Sequence, residues 1–416
     1  RAFVYKAKAA TQYIQRCRTH VVLGIPAVHC TVMEIGGVVT YEGSNCFRQR
    51  LVLSTLSGKP VRIRNIRAKA DDPGLKDYEV SFIRLLDCLN NGSSIEVNQT
   101  GTALLYRPGI LTGGRLEHSC PLSRGIGYFL EPLFMLAPFC KSPISITLTG
   151  ITNNELDPTV DMICASLVPV LRRFVGGDDG PSVKCVRRGL SPGGGGRVVF
   201  TSPVRRSLTA FQWMDSGQIK RIRGVAYTSR VTPTVANRML DAAKGMFLKF
   251  LTDVYFTVDN AKATSPGFGL CAVAESNKGT IVCAEAMSRS PGQEEGVAGA
   301  AANTPEEIGQ EAASRLLEEI WRGGCVDAIA QPLLLTFMAL APTDVSKAVL
   351  GPLTPYTMHY LRHLRDFFHV TFKIDEYKEE RIGEDDGSSL ERRTGAAKLV
   401  LTCIGIGYSN IGKGQI

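Results

Sequence analysis

The chain has 416 residues, of which 44% are hydrophobic and 21% are charged, a composition typical of a globular protein with a large core. Its 48 lysine and arginine residues outnumber 39 acidic residues, and the net charge of +9 favours anionic partners without identifying one. No apolar run approaches the roughly 18 residues that cross a bilayer, and the twelve cysteines form neither a C-x-x-C pair nor a cluster with histidines at zinc spacing, so we expect neither a membrane span nor a metal site.

The N-terminal segment is basic. The first 33 residues contain lysines and arginines but no aspartate or glutamate, a pattern that would suit an organellar presequence. The segment lacks the serine enrichment of such presequences. We therefore predict that residues 1–30 form a basic N-terminal extension.

The segment Phe47–Leu75 predicts a helix, a tight turn and a strand. Its first part has apolar residues at helical spacing, the pattern breaks at a Ser-Gly-Lys-Pro sequence, and apolar and basic residues then alternate. Within this segment, no aspartate or glutamate precedes Asp71. The cations of this segment, which we call the first basic cluster, are Arg48, Arg50, Lys59, Arg62, Arg64, Arg67 and Lys69. Charge pattern alone leaves open that they are simply solvated.

The same order of elements returns at Pro132–Phe139 and at Leu333–Leu340, where an apolar helix leads through a lysine-bearing turn into a short strand. A further helix follows each strand, at Lys76–Leu89, Thr159–Phe174 and Thr354–Phe368. Three such modules, each too small to bury its own sheet face, predict one large α/β domain of the α+β type.

The spacing of the modules is unequal. The turn lysines Lys59 and Lys141 are 82 residues apart, whereas Lys141 and Lys347 are 206 apart, an excess of 124 residues that is the size of a small domain. We therefore expect a smaller α/β domain inserted before the third module. The expected limits are 31–185 for modules one and two, 186–290 for the inserted domain, and 291–416 for module three with the C-terminal strands.

Basic residues also stand at the entrance to the second module's helix. If the modules are equivalent, Arg115 and Arg124 face the same end of the repeat as the first basic cluster, and the guanidinium groups can bind phosphate bidentately. We predict a site for RNA or an acidic partner segment. Its residues are Arg48, Arg50, Arg64, Arg67, Lys69, Arg115 and Arg124.

Several motifs together resemble the RNA 3′-terminal phosphate cyclase family. They are the sequence FRQRLVLSTLSGKP at 47–60, Arg64-Asn65-Ile66-Arg67, Arg188-Gly189 with the Pro-Gly-Gly-Gly run at 192–195, and GPLTPY at 351–356. The likeness covers residues 31–410 in order and is to the eukaryotic cyclase-like branch. It implies three repeated α/β modules with a smaller α/β domain inserted before the last.

The resemblance also implies where the chemistry of a cyclase would lie. Cyclases attach AMP to a histidine at the start of the helix after the third module's strand, and Tyr356 occupies that position here. A phenol with a pKa near 10 is a poor nucleophile at neutral pH. His359 cannot replace it in an unchanged nucleotide pocket, because three residues along a helix displace the side chain by ~4.5 Å. The family's aspartate-glutamine pair is also altered, with Gln331 one position early, and Glu42 lies in a changed glycine-rich turn. We expect a degenerate nucleotide site, no cofactor and no cyclase activity.

The cyclase-like branch implies a nucleolar factor of ribosome biogenesis. On that basis we expect a non-catalytic protein of the small-subunit processome in the nucleus, needed for pre-rRNA processing toward 18S rRNA. Its expected partners are a ribosome-assembly GTPase, pre-rRNA and a small nucleolar RNP.

An alternative is an endonuclease that cleaves pre-rRNA without a metal. Arg362, His363 and Arg365, on the helix after Tyr356, could supply a general base and cations for the transition state. The same residues also fit a solvated face of an amphipathic helix.

Overall fold

The computed structural model describes residues 33–35, 37–176, 180–289, 303–377 and 395–410. The predicted N-terminal extension lies outside these ranges. In the first unit, an apolar helix follows the strand that ends at Glu42, and a Gly58 in the left-handed conformation ends that helix. The elements up to the end of this unit are β1 (Met33–Ile35), β2 (Val38–Glu42), α1 (Phe47–Ser57), β3 (Val61–Arg64), α2 (Asp77–Leu89), β4 (Asn90–Asn91), β5 (Ser94–Val97) and β6 (Leu104–Arg107).

The second unit repeats this arrangement. Its first helix is buried all round, which fits its almost wholly apolar sequence. The elements are β7 (Ile110–Leu111), which pairs with β4, β8 (Gly113–Ser119), α3 (Ile126–Leu136), a 3-10 turn (Ala137–Phe139), β9 (Ser142–Gly150), α4 (Val160–Val175), β10 (Ser182–Arg187) and β11 (Gly196–Ser202).

The remaining chain contains a third unit and an inserted sheet. Its elements are β12 (Gln212–Trp213), β13 (Ile219–Ser229), α5 (Thr234–Phe247), β14 (Thr257–Ala261), β15 (Gly267–Ser276), β16 (Ile281–Met287), α6 (Pro305–Arg322), α7 (Gln331–Leu340), β17 (Val345–Leu350), α8 (Pro355–Phe368), β18 (Lys373–Glu376) and β19 (Leu399–Ile404).

The sheets of the three units share one topology. Apart from β1, an extra strand that pairs antiparallel with β2, each sheet has four strands. The first of the four pairs in parallel with the second, the second pairs antiparallel with the fourth, and the fourth pairs antiparallel with the third. The strand orders are β1-β2-β3-β6-β5, β8-β9-β11-β10 and β12-β17-β19-β18. The expected mixed α/β class is confirmed.

A single hydrophobic core joins the three units. It includes side chains of α1, α3 and α7, the first helix of each unit, together with residues of all three sheets. Each of these helices is buried on nearly every side. Because no unit could cover such a helix alone, the three form one body around the helices.

The inserted sheet lies within the third unit rather than before it. Strand β12 pairs in parallel with β17, at Gln212–Lys347 and Trp213–Ala348, and the fourth sheet, of order β14-β13-β15-β16, lies between them in the chain. The helices and the other strands of the third unit follow the inserted sheet, and only β12 precedes it. Strand β12 was not among the expected elements, because a two-residue strand has no alternation to detect and only its pairing partner identifies it.

The inserted sheet has its own core, to which α5 and α6 contribute. Met239 of α5 and Leu316 of α6 pack with Ile222, Ala272 and Val282 of the sheet. The expected limit at 290 assigns α6 to module three, and the limit at 186 separates β10 and β11, which pair with each other and with β9. We therefore propose limits near 219 and 322 for the inserted unit.

Buried carboxyl groups join the inserted sheet to α4. Glu285 of β16 accepts hydrogen bonds from the backbone N–H and the hydroxyl of Thr159, and Asp327 accepts from Ser166 Oγ at 2.7 Å and Cys283 N at 3.2 Å. Burial raises the pKa of both carboxyl groups to about 7. Of the helices in the described ranges, none is long and apolar enough to span a membrane.

Candidate functional site

The starts of α1 and α8 meet at Tyr356. A Thr354 side chain caps α8 by accepting from Thr357 N at 3.0 Å, which places Tyr356 in the first helical turn. The Tyr356 hydroxyl donates to Glu131 Oε1 of α3 at 3.0 Å and accepts from Gln49 Nε2 of α1. Burial and the Glu131 charge raise the pKa of Tyr356 well above 10.0. The hydroxyl therefore stays protonated, and its proton and a lone pair are engaged.

The Glu131 carboxylate also binds Arg48. Arg48 Nη2 lies 3.0 Å from Glu131 Oε2, and the same guanidinium donates to the carbonyl oxygen of Tyr128. Its central carbon lies 4.0 Å from the Tyr128 ring centroid, a cation–π contact. Arg48 thus neutralises the carboxylate that holds Tyr356.

The structure brings two further arginines of the predicted anion site close to Tyr128 and to Tyr78, whose ring packs edge-on against that of Tyr128. Arg124 lies over Tyr128 at 4.6 Å and over Tyr78 at 5.1 Å, and Arg67 Nη2 lies 3.5 Å from the Tyr78 hydroxyl. We call this set, Arg48, Arg67 and Arg124 around Tyr78 and Tyr128, the arginine–tyrosine cluster.

Each arginine of this cluster is paired with a carboxylate. Arg67 binds Glu79 through two hydrogen bonds of 2.7 and 2.8 Å, and Arg124 binds both oxygens of Asp157, while Arg48 binds Glu131. The three arginine side chains are only 14–24% exposed. An incoming phosphate would have to compete with these carboxylates, so the cluster is a structural network rather than an open anion site.

Arg50 also differs from its predicted role, because it is completely buried. Its Nε donates to His363 Nε2 at 3.1 Å, its Nη1 donates to the Gly43 carbonyl at 2.8 Å, and it lies over the Tyr41 ring at 4.4 Å. In this conformation Arg50 cannot contact RNA. Helical spacing turned its side chain inward, although its charge suggested the surface.

The alternative catalytic set of Arg362, His363 and Arg365 is not assembled. Arg362 and Arg365 are exposed, whereas His363 is buried and stacks on Tyr41 at 4.9 Å. Its Nδ1 lies 2.8 Å from the His359 carbonyl, so Nδ1–H donates there and Nε2 accepts from Arg50. Burial and Arg50 lower the pKa of His363 to about 3. A buried imidazole with both nitrogens engaged cannot serve as the base that this prediction required.

The other predicted residues fall in two places. Gln331, buried at the start of α7, accepts from the Thr357 hydroxyl at 2.9 Å and so lies next to the first turn of α8. Glu42 and Arg64 are exposed neighbours at the ends of β2 and β3. Lys69 and Arg115 are also exposed, and among the described residues the side chains of Arg64, Lys69 and Arg115 make no ion pair or hydrogen bond.

Residues that sequence reasoning missed complete the site. Gln49 lies inside the motif that carries the family resemblance. Glu131 lies in an apolar helix, Glu79 in the first turn of α2 and Asp157 in a loop, and no sequence motif singles out any of the three. Only their contacts identify them. Within the described ranges, no three His, Cys, Asp or Glu side chains form a group that could hold a metal.

Comparison with known proteins identifies relatives across most of the chain. The sequence profile of the family described as RNA 3′-terminal phosphate cyclase matches residues 39–374. A human protein named RNA 3′-terminal phosphate cyclase-like protein is 52% identical over 381 residues, which cover 90% of this chain and 97% of that protein.

More distant relatives show the same coverage. A Drosophila melanogaster protein named probable RNA 3′-terminal phosphate cyclase-like protein is 46% identical over 387 residues, covering 92% of this chain and 98% of that protein. The rRNA processing protein rcl1 of Schizosaccharomyces pombe is 39% identical over 389 residues, covering 92% of this chain and 99% of that protein. These matches include the three units and the inserted sheet.

Proposed function

This chain belongs to the RNA 3′-terminal phosphate cyclase family, in its cyclase-like branch, and from that membership we propose that it is a non-catalytic factor of pre-rRNA processing. It acts in the nucleus and nucleolus, within the small-subunit processome, toward 18S rRNA. The name of the fission yeast relative, an rRNA processing protein, supports this assignment.

The observation that supports a non-catalytic role is the protonation and hydrogen bonding of the Tyr356 hydroxyl. The family resemblance assigns this position to the histidine that accepts AMP, and a nucleophile there must lose a proton and present a free lone pair. The Tyr356 hydroxyl donates to Glu131 and has a pKa raised above 10.0. The neighbouring arginines, which could otherwise bind phosphates, are already paired with carboxylates.

RNA binding, in this proposal, uses the exposed cations rather than the paired ones. Three residues of the predicted anion site are neither buried nor paired with a carboxylate, and these are Arg64, Lys69 and Arg115. Backbone phosphates bind such side chains with a strong dependence on salt. A ribosome-assembly GTPase and the small nucleolar RNP are the further partners that we propose from the cyclase-like branch.

Incubation with labelled ATP is expected to leave the denatured protein unlabelled, because the Tyr356 hydroxyl is not a competent nucleophile. An authentic RNA 3′-terminal phosphate cyclase, labelled in the same assay, is the positive control, and the Tyr356→Phe variant is the matched negative one. An acid-stable AMP adduct, as expected of a phosphodiester on a phenol oxygen, that forms on the unaltered chain and disappears in Tyr356→Phe would show that the site is catalytic.

Replacing Arg64, Lys69 and Arg115 together with glutamate is expected to weaken binding of a single-stranded RNA by about tenfold or more at low salt. The slope of log affinity against log salt should fall by about 0.7 for each phosphate that these side chains no longer bind. The control is Lys249→Glu, a charge reversal at an exposed residue of the inserted unit. Unchanged affinity at every salt concentration would mean that these cations are only solvated.

A further inference from the structure

A groove runs between the second unit and the inserted sheet, along two strands that lie at sheet edges. Strand β10 ends the second sheet and β14 ends the inserted sheet, and within the described ranges each pairs with one neighbour only, β11 and β13. Two successive cavities, of about 760 and 540 Å³, lie along these strands. The first is lined by the beginning of both strands and the second by their ends. Main-chain groups on the open side of such edges can pair with another extended segment.

The floor of the groove is apolar. Val168 of α4 and Val225, Val273 and Ile281 of the inserted unit line the larger cavity. This face of the inserted sheet is opposite to the one that α5 and α6 cover. Helix α4 packs against this face at β16, where Thr159 donates to Glu285, and beside that contact the larger cavity leaves apolar surface open.

Large apolar side chains stand exposed at the same place. Val186 of β10, which lines the smaller cavity, is 54% exposed, and Tyr255 just before β14, which lines the larger cavity, is 61% exposed. Apolar residues that cluster on an exposed strand edge and beside a cavity are typical of an interaction site, whereas isolated ones are ordinary.

The unpaired charge around the groove is positive. The two carboxylates in its lining, Asp259 and Glu275, bind Arg188 and Arg221. Arg187 and Lys262 line the smaller cavity and are exposed, and among the described residues neither side chain makes an ion pair or hydrogen bond. An occupant with carboxylates would complement these cations.

A salt bridge holds the edge strands β10 and β14 in place. Arg188, directly after β10, donates from Nε to Asp259 of β14 at 3.0 Å and also binds Asp161 of α4. This bridge joins the two walls at the end of the groove that Arg187 and Lys262 flank. A groove formed before binding costs its ligand less ordering free energy than one that must open.

We infer that this groove binds an extended, acidic peptide segment of a partner protein. The segment's main chain pairs with the open strand edges, its apolar side chains enter the two cavities, and its carboxylates bind Arg187 and Lys262. Alternating apolar and acidic residues suit this geometry, because successive side chains of an extended segment point to opposite sides. RNA fits less well, since the floor of the larger cavity is apolar and would not bind a phosphate backbone.

The test is a selection of a random twelve-residue peptide library against the full chain, followed by fluorescence anisotropy with the enriched peptides. We expect enriched sequences with alternating apolar and acidic residues. The Arg187→Glu/Lys262→Glu variant should bind them at least tenfold more weakly and should itself select basic peptides. Val186→Ser and Tyr255→Ser should weaken binding without changing the charge preference.

A matched double charge reversal outside the groove, Arg84→Glu/Lys249→Glu, should bind the peptides as the unaltered chain does. All substituted residues are exposed, and thermal melting checks that each variant is folded. The inference is overturned if no acidic peptide is enriched, or if enriched peptides bind the groove variants undiminished. It is also overturned if Arg187→Glu/Lys262→Glu reduces binding of a single-stranded RNA but not of the peptides. The assay uses only the purified chain, so its outcome is independent of the proposed role in rRNA processing.

Discussion

Replacing Arg50 with methionine is expected to lower the free energy of unfolding by about 2–6 kcal/mol, because each of two buried acceptors left without its donor costs about 1–3 kcal/mol. Arg50 is completely buried, and its guanidinium donates to His363 and to the Gly43 carbonyl while lying over the Tyr41 ring. Methionine has a similar length but no donors. The His363 Nε2 and the Gly43 carbonyl would then be left without this donor in a dry environment.

The measurement is urea denaturation of the full chain and of two variants. Arg64→Met is the matched control, since Arg64 is an exposed arginine of the same basic cluster, and its unfolding free energy should change by less than about 0.5 kcal/mol. If Arg50→Met were as stable as Arg64→Met, the structural role assigned to Arg50 would be wrong.

Replacing Arg188 with methionine is expected to cost about 3–5 kcal/mol, because it removes a buried cation shared by two carboxylates. Arg188 binds Asp161 of α4 and Asp259 of β14, and its guanidinium lies 4.7 Å from the Tyr227 ring centroid in β13. These contacts join the second unit to the inserted sheet. The variant leaves Asp161, largely buried, without its cation.

Hydrogen exchange can separate this effect from global unfolding. Amides of β13 and β14 should lose protection in Arg188→Met before those of β9 and β11, because the bridge acts at the junction of the two bodies. The neighbouring Arg187→Met is the control, since Arg187 is exposed and forms no such bridge among the described residues. Uniform loss of protection, or no loss in either variant, would contradict a junction role for Arg188.

Local sequence patterns predicted the repeated unit well. An amphipathic helix or an alternating strand has a hydrophobic periodicity that can be read from neighbouring residues, and a wholly apolar helix is indicated by its length and by the turn that follows it. The mixed α/β class and the presence of an extra α/β segment followed from those patterns and from the unequal spacing. The family resemblance was carried by motifs such as FRQRLVLSTLSGKP, which are contiguous in the chain.

The position of the inserted sheet could not be predicted in the same way. Strand β12 has two residues and is identified only by pairing with β17. The glycine-rich stretch before β11 has the composition of a linker but connects two paired strands, β10 and β11. The glycine content of a segment indicates its backbone flexibility, whereas strand pairing depends on residues far away in the chain.

The sequence by itself determined the mixed α/β class and the basic character of the chain, and the family resemblance led to the prediction that Tyr356 stands at the position of the nucleophile. Only the tertiary structure decided which cations remain available. Arg50 is buried against His363, Arg67 and Arg124 are paired with Glu79 and Asp157, and Arg64 is exposed. The physical reason is that a cation's availability depends on burial and on carboxylates that folding brings near it, and neither can be read from the spacing of charges along one strand or helix.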